Sequence, residues 1–230
     1  MNKELIIYHG STEIIKNPEY GKGKTHNDFG KGFYCTEHIE LAKEWGCNSN
    51  KNGFANEYTI NIEDLKVLNI NSPDYSILNW ISVLVNNRLF QIKNPIAGRG
   101  KKYLTDYFLI NINAFDVIIG YRADDAYFDF ADAFLNNAIT IDQLSRAMRL
   151  GKLGEQFVIK SKRAFERIKF VNAHEAERDI YYPKKQKRNV DAEISYNNIL
   201  NNEEDGLYLI DIIRGNITNE DKRIPRNIYK

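Results

Sequence analysis

Seven short runs of β-branched and aromatic residues, unevenly spread along the chain, constrain the fold of this sequence most. Most of these runs are bounded by Gly, Asn or Asp, as short strands usually are. The predicted strands are Glu4–Tyr8, Gly32–Thr36, Glu57–Ile62, Leu65–Ile70, Phe115–Gly120, Gln156–Lys160 and Ile168–Val171. Strands therefore dominate the first third of the chain and return after residue 155.

Helical periodicity fills the space between these strands. The predicted helices are His38–Trp45, Asp74–Asn86, Asp124–Asn136, Ile141–Leu150 and Asp205–Arg214. Strands and helices do not alternate regularly, as they would in a parallel βαβ fold. The pattern therefore predicts an α+β protein.

The chain of 230 residues is short enough for a single domain. Its one shift in composition is the polar and basic run Tyr181–Arg188, which is typical of an exposed connector. We therefore predict a main domain over residues 1–175. Residues 176–230 then form a connector and a helical extension that packs on this domain.

Charge and cysteine content narrow the class of protein. The net charge is +1, so the chain as a whole has no strong field for nucleic acid or an anionic membrane. No run of about 18 apolar residues and no signal-peptide core is visible. Cys35 and Cys47 do not form a disulfide framework, and with His38 they lack a fourth metal ligand. We expect a cytoplasmic protein with no metal and no membrane partner.

The segment Tyr8-His9-Gly10-Ser11 follows an apolar strand and is a candidate ligand site. The ring of His9 can donate at one nitrogen and accept at the other. Gly10 has no side chain, so a ligand can approach its backbone N–H and C=O. A planar carboxamide needs such a pair of groups. The alternative is an ordinary half-buried histidine at a turn.

A second candidate segment runs from Asp28 to Tyr34. Gly30 and Gly32 flank Lys31 and indicate a tight turn or a close ligand. Tyr34 lies on the strand that follows, where its ring can stack on a flat ligand while its hydroxyl stays solvated. The alternative is a glycine-rich hairpin with a half-buried tyrosine.

Together the two segments resemble the catalytic domain of ADP-ribosyltransferases of the diphtheria-toxin and poly(ADP-ribose) polymerase type. Members of that clan combine a His-Gly strand end with a Gly-x-Gly-[Ile/Phe]-Tyr strand and a following helix. Here the matching pieces are His9-Gly10, Gly30 to Tyr34 and Glu37–Gly46. The resemblance covers residues 4–171. Within this clan, the sequence is similar to a bacterial branch whose triad reads His-Tyr-Gln.

This resemblance implies a fold of two small, roughly orthogonal mixed sheets with flanking helices and an NAD cleft between them. The implied NAD-binding residues are His9, Gly10, Ser11, Gly32, Tyr34 and Trp45. In such a site His9 holds the adenosine-side ribose, the Gly10 backbone holds the carboxamide, and Tyr34 with Trp45 packs on the nicotinamide ring. The loop Thr12–Asn27 covers the pyrophosphate.

The third residue of the implied catalytic triad, after His9 and Tyr34, is either Gln156 or Glu155. These two neighbours on one strand face opposite sides, so only one can reach the ligand. The polymerases have a glutamate here, whereas the His-Tyr-Gln branch has a glutamine. We predict that Gln156 points inward and that the enzyme transfers a single ADP-ribose. An inward Glu155 restores the glutamate triad.

The resemblance implies an NAD-dependent mono-ADP-ribosyltransferase that uses NAD as a substrate and modifies a protein or nucleic-acid acceptor. By analogy with compact bacterial enzymes of this type, the protein is a toxin of a toxin–antitoxin or anti-phage system, with an antitoxin as partner. Two alternatives remain open: an NAD glycohydrolase that uses water as the acceptor, and a catalytically silent module that binds NAD or ADP-ribose.

Overall fold

The computed structural model describes residues 4–123, 125–150, 155–201 and 205–227. The strands are β1 (Glu4–Ser11), β2 (Phe33–Cys35), β3 (Gly53–Asn61), β4 (Val67–Asn69), β5 (Val117–Tyr121), β6 (Glu155–Ile159) and β7 (Ile168–Ala176). The helices are α1 (Ile39–Gly46), α2 (Ile77–Asn87), α3 (Pro95–Tyr107), α4 (Asp125–Leu135), α5 (Ile141–Leu150), α6 (Lys162–Phe165), α7 (Arg178–Asn201) and α8 (Leu209–Arg214).

The strands form two small sheets that meet at one point. One sheet has the order β1-β3-β7 and is antiparallel throughout. The other has the order β2-β6-β5-β4, with only β4 and β5 parallel. Tyr8 of β1 and Thr36, just after β2, exchange two backbone hydrogen bonds of 2.8 and 2.9 Å. This bridge joins the two sheets.

Two clusters of buried side chains hold the fold together. The smaller one includes Ile7, Tyr58 and Phe157 and lies where the two sheets face each other. The larger one packs the helices on the four-stranded sheet, and in α2 every residue from Ile77 to Val85 is buried. A helix that is apolar on most sides is expected to be enclosed, and α2 is enclosed up to Val85.

The protein is α+β, with two small sheets and flanking helices. Each predicted strand overlaps an observed one, and each predicted helix overlaps α1, α2, α4, α5 or α8. The predicted start of one helix at Asp124 lies outside the described residues. Three helices were not predicted from the sequence: α3, the single turn α6 and α7.

The run Tyr181–Arg188, predicted as an exposed connector, lies within the 24-residue helix α7. Its basic and aromatic residues pair with acidic residues of α1. Arg188 binds the carboxylate of Glu44 through two hydrogen bonds of 2.8 and 3.0 Å. The Tyr181 hydroxyl donates to Glu40 at 3.1 Å. These contacts order a segment whose composition alone is typical of a loop.

Residues beyond 176 share the larger core with the rest of the chain. Ala192 of α7 and Leu209 and Ile212 of α8 are buried in the same cluster as α2. Among the helices that the structure describes, none is both long enough and apolar enough to cross a membrane.

Candidate functional site

A cavity of about 770 Å³ opens beside the bridge between the two sheets. His9 and Gly10 of β1, Tyr34 of β2 and Gln156 of β6 all contribute to its wall. Gly32, Trp45 of α1 and part of the loop 12–27 complete the same wall. Residues far apart in the sequence, and predicted to act together, therefore line one space.

His9 is held in one orientation and one tautomer. Its Nδ1 lies 2.7 Å from the carbonyl oxygen of Tyr34, and since a carbonyl only accepts, Nδ1 carries the proton. The ring also packs on Phe33 at a centroid distance of 4.4 Å. Burial lowers the pKa of His9, although the hydrogen bond to Tyr34 opposes this shift. Neutral His9 therefore has Nε2 as a hydrogen-bond acceptor.

The backbone of Gly10 faces away from the neighbouring strand β3. Tyr8 directs its N–H and C=O to Thr36, so its pairing with Glu57 of β3 is of the non-hydrogen-bonded kind. Gly10, two residues further along and paired with Ala55, repeats this geometry. Its N–H and C=O therefore point from the free edge of β1, beside the cavity.

The packing of helix α1 gives a second reason for a glycine at position 10. A Cβ atom there would lie 2.1 Å from the carbonyl oxygen of Ala42 and 2.8 Å from the backbone nitrogen of Gly46. The absent side chain makes room for helix α1, which packs directly on β1. A ligand can use the edge of this backbone but not the face that α1 covers.

The hydroxyl of Tyr34 is not solvated, contrary to expectation. It donates to the carbonyl oxygen of Gly30 at 2.6 Å and accepts from the N–H of Phe29 at 3.0 Å. Burial raises the pKa of this hydroxyl. Tyr34 therefore closes the turn at Gly30, whose φ of 70° favours glycine, while also lining the cavity.

Gly32 and Trp45 lie on the cavity wall, but each has a close protein neighbour. A Cβ atom at Gly32 would come within 2.7 Å of the Val158 side chain, so β6 requires this glycine. The guanidinium of Arg122 lies over the Trp45 ring, 4.1 Å from its centroid. This distance is typical of a cation–π contact.

Gln156, and not Glu155, faces the cavity. Gln156 is 4% exposed, and its Nε2 donates to Asp28 Oδ2 at 2.9 Å. Glu155 is exposed and accepts a hydrogen bond of 2.8 Å from Asn71 Nδ2. The alternation of side chains along β6 separates the two residues as expected.

Ser11 is not brought to the cavity, although it was predicted to bind the ligand. Its hydroxyl donates to the carbonyl oxygen of Glu13 and accepts from Asn56 Nδ2 at 3.2 Å. These bonds fix the start of the loop after β1. Ser11 therefore stabilises the first residues of the loop after β1 and does not line the cavity.

Several residues of the cavity wall had no role in the sequence argument. Asp28 accepts from Gln156 and from the N–H of Ala123 at 2.9 Å, and Arg88 forms an ion pair with it at 3.2 Å. The basic residues on the wall outnumber the acidic residues Glu19 and Asp28. These basic residues are Lys22, Lys24, Arg88, Arg122 and Lys185. An excess of cations in a cleft favours an anionic ligand such as a phosphate ester.

Within the described ranges, no group of three or more His, Cys, Asp or Glu side chains could hold a metal ion. Cys35 and Cys47 are buried free thiols. Burial raises the pKa of both, so neither is a reactive thiolate.

Comparison with known proteins gives one match. The model of a family described as "Protein of unknown function (DUF3990)" matches residues 5–170. This range includes all of the cavity wall except Lys185 and Asn189, which come from α7. No curated protein and no solved structure matches the chain.

Proposed function

The chain belongs to the DUF3990 family, and we propose that it is an NAD-dependent mono-ADP-ribosyltransferase. The observation that carries this proposal is the convergence of His9, Gly10, Tyr34 and Gln156 on one cavity. These are the residues through which the sequence resembles the diphtheria-toxin and polymerase type of transferase. A volume of about 770 Å³ is ample for a dinucleotide-sized ligand.

Each group supports a specific part of this proposal. The free N–H and C=O of Gly10 match the carboxamide of nicotinamide, and the Tyr34 ring offers a flat surface for the pyridine. The Nε2 acceptor of His9 suits a ribose hydroxyl of the adenosine half. Cations on the loop 12–27 and Lys185 suit the pyrophosphate.

In the proposed reaction, the bond between the nicotinamide nitrogen and ribose C1′ breaks and its electron pair goes to the nicotinamide. The resulting sugar cation is captured by a nucleophile of the acceptor, which loses a proton. Gln156 orients the nicotinamide ribose but carries no charge. A single transfer is therefore proposed rather than polymer synthesis.

The proposed acceptor is a macromolecule, either a protein or a nucleic acid. By analogy with bacterial enzymes of this type, the proposed setting is a toxin of a toxin–antitoxin or anti-phage system in the cytoplasm, with an antitoxin as partner. NAD serves as the substrate, and no step of this reaction calls for a metal ion.

The test is incubation of the purified protein with NAD labelled in the ADP-ribose part, with and without cell lysate. Release of nicotinamide together with protease-sensitive or nuclease-sensitive label is the expected result. Release without labelled acceptor identifies an NAD glycohydrolase instead. Calorimetric NAD binding with no release identifies a silent binding module, and absence of binding rejects the proposal.

Replacing His9 by alanine should weaken NAD binding by about 1–3 kcal/mol, because it removes one hydrogen bond in a partly buried site. Isothermal titration calorimetry measures this loss. His38→Ala is the matched control, because His38 is exposed and does not line the cavity. Equal affinity of His9→Ala and wild type, with an intact circular dichroism spectrum, would remove His9 from the site.

Replacing Tyr34 by phenylalanine should lower the free energy of unfolding by about 1–3 kcal/mol, because the buried backbone groups of Phe29 and Gly30 lose their partner. The ring surface remains, so most of the NAD affinity should remain. Tyr34→Ala should lose both stability and affinity. Denaturation and calorimetry separate the two effects.

Tyr20→Phe is the control for this pair, because the Tyr20 side chain is 59% exposed. It should leave stability and affinity unchanged. If Tyr34→Phe and Tyr34→Ala bind NAD equally weakly, the hydroxyl rather than the ring is the group that matters.

A further inference from the structure

Asp28 and Gln156 form a buried pair in the cavity wall in which one oxygen atom of each side chain lacks a hydrogen bond. Both residues are 4% exposed. Within the described part of the chain, three buried side-chain polar atoms have no hydrogen-bond partner, and two of them are Asp28 Oδ1 and Gln156 Oε1. Buried acceptors in native proteins nearly always have a donor. Two such atoms on residues that line one cavity indicate a ligand with two donors.

Protein contacts fix both side chains in this arrangement. Oδ2 of Asp28 accepts from the N–H of Ala123 and from Gln156 Nε2, each at 2.9 Å. A carboxylate only accepts, so the Gln156 amide must present its nitrogen to Asp28 and its oxygen elsewhere. Asp28 therefore sets the orientation of the glutamine.

Asp28 also has charged neighbours that favour its ionised form. Burial raises the pKa of Asp28, whereas the hydrogen bonds from Ala123 and Gln156 and the charges of Arg88 and Arg122 oppose this shift. Arg88 Nη1 is 3.2 Å from Oδ1 in an ion pair that is not a hydrogen bond. Oδ1 can still accept one from a ligand.

From this geometry, and resting on the function proposed above, we propose that Asp28 is a further catalytic residue. Asp28 Oδ1 and Gln156 Oε1 each accept a hydrogen bond from one of the two adjacent hydroxyls of the nicotinamide ribose. As the electron pair of the glycosidic bond leaves with nicotinamide, positive charge develops on the ribose. The Asp28 carboxylate supplies the negative charge that Gln156 lacks.

The experiment combines Asp28→Asn with two NAD analogues, each lacking one of the two hydroxyls of the nicotinamide ribose. The substituted amide oxygen can keep the bonds from Ala123 and Gln156, so the variant replaces the charged Oδ1 acceptor by an NH2 group, which cannot accept from a ribose hydroxyl. With NAD, the variant should release nicotinamide about a hundredfold more slowly, in kcat rather than in KM. With the analogue lacking the hydroxyl that Asp28 binds, the two proteins should differ by less than about threefold.

Glu13→Gln is the matched control, because Glu13 is an exposed carboxylate of the same loop and does not line the cavity. It should behave like the wild type. If Asp28→Asn fails to fold, the wild-type protein still gives a measurement: loss of either hydroxyl should lower kcat/KM about tenfold or more.

Two results would contradict the proposed catalytic role of Asp28 and leave the proposed function of the protein unaffected. In the first, the wild type cleaves NAD and folded Asp28→Asn cleaves it equally fast. In the second, the variant is equally impaired with NAD and with both analogues. A wild-type protein that neither binds nor cleaves NAD rejects the proposed function itself.

Discussion

Gln156→Ala is expected to slow nicotinamide release about a hundredfold or more, equivalent to about 3 kcal/mol in the activation barrier. Gln156 is the buried residue of β6 on the cavity wall, and Asp28 fixes its amide. Alanine removes the oriented oxygen, and it leaves Asp28 with one hydrogen bond fewer. Single-turnover kinetics with saturating NAD measure the chemical step, and calorimetry measures binding separately.

Glu155→Ala provides the matched control for this prediction. Glu155 is adjacent in sequence but exposed, and its side chain contacts Asn71 outside the cavity. Its removal should leave the rate within about twofold of the wild type, as for most surface substitutions. If Glu155→Ala is inactive and Gln156→Ala is active, the transferase has a glutamate triad, and the cavity wall changes its register when NAD binds.

Gln156→Glu should not convert the protein into an efficient glutamate-type enzyme. Because Nε2 lies 2.9 Å from Asp28 Oδ2, the substitution would place two carboxylates in contact in a buried site. Two such groups cannot both ionise readily, and one would retain a proton. An interpretation based on the sequence alone would expect the added carboxylate to stabilise the sugar cation, and the neighbour at position 28 is the reason to expect otherwise.

The sequence predicted most of the secondary structure because the signals are local. Gly53–Asn61 alternates buried and partly exposed side chains along most of its length, and α2 is a largely apolar run that follows the N-cap residue Ser76. Helix α7 was missed because its order comes from distant contacts. The pairing of Arg188 with Glu44 spans 144 residues, and no local pattern in Tyr181–Arg188 indicates it.

The residues of the candidate site also fall into two groups: those that a local sequence pattern indicates and those that only the fold brings together. His9, Gly10 and Tyr34 could be proposed from two short segments, because His9 and Gly10 stand near a recognisable strand end and Tyr34 lies on the strand after a glycine-rich turn. The contact of Asp28 with Gln156 joins residues 128 positions apart, and Arg88 enters from the end of α2. The function of a residue such as Asp28 depends on which residues it contacts. A single sequence without the fold does not show these contacts.

Gly10→Ala is expected to lower the free energy of unfolding by about 3 kcal/mol, the upper end of the usual cost of overpacking. The new Cβ would lie 2.1 Å from the Ala42 carbonyl oxygen, which belongs to the backbone of α1 and cannot rotate away. Helix α1 would have to move off β1. Chemical denaturation followed by circular dichroism measures the loss.

Gly98→Ala is the control, because its Cβ would meet only Ile92 Cγ2, at the ordinary contact distance of 3.4 Å. Since alanine is more favourable than glycine in a helix interior, the free energy of unfolding of this variant should rise by up to about 1 kcal/mol.

The Gly10→Ala experiment also decides why position 10 is a glycine. If Gly10→Ala keeps full stability and loses only NAD affinity, the glycine is required by the ligand, and the packing of α1 is not the cause. If Gly10→Ala loses about 3 kcal/mol of stability in the absence of NAD, the packing of α1 requires the glycine. The ligand then uses only the exposed edge of β1.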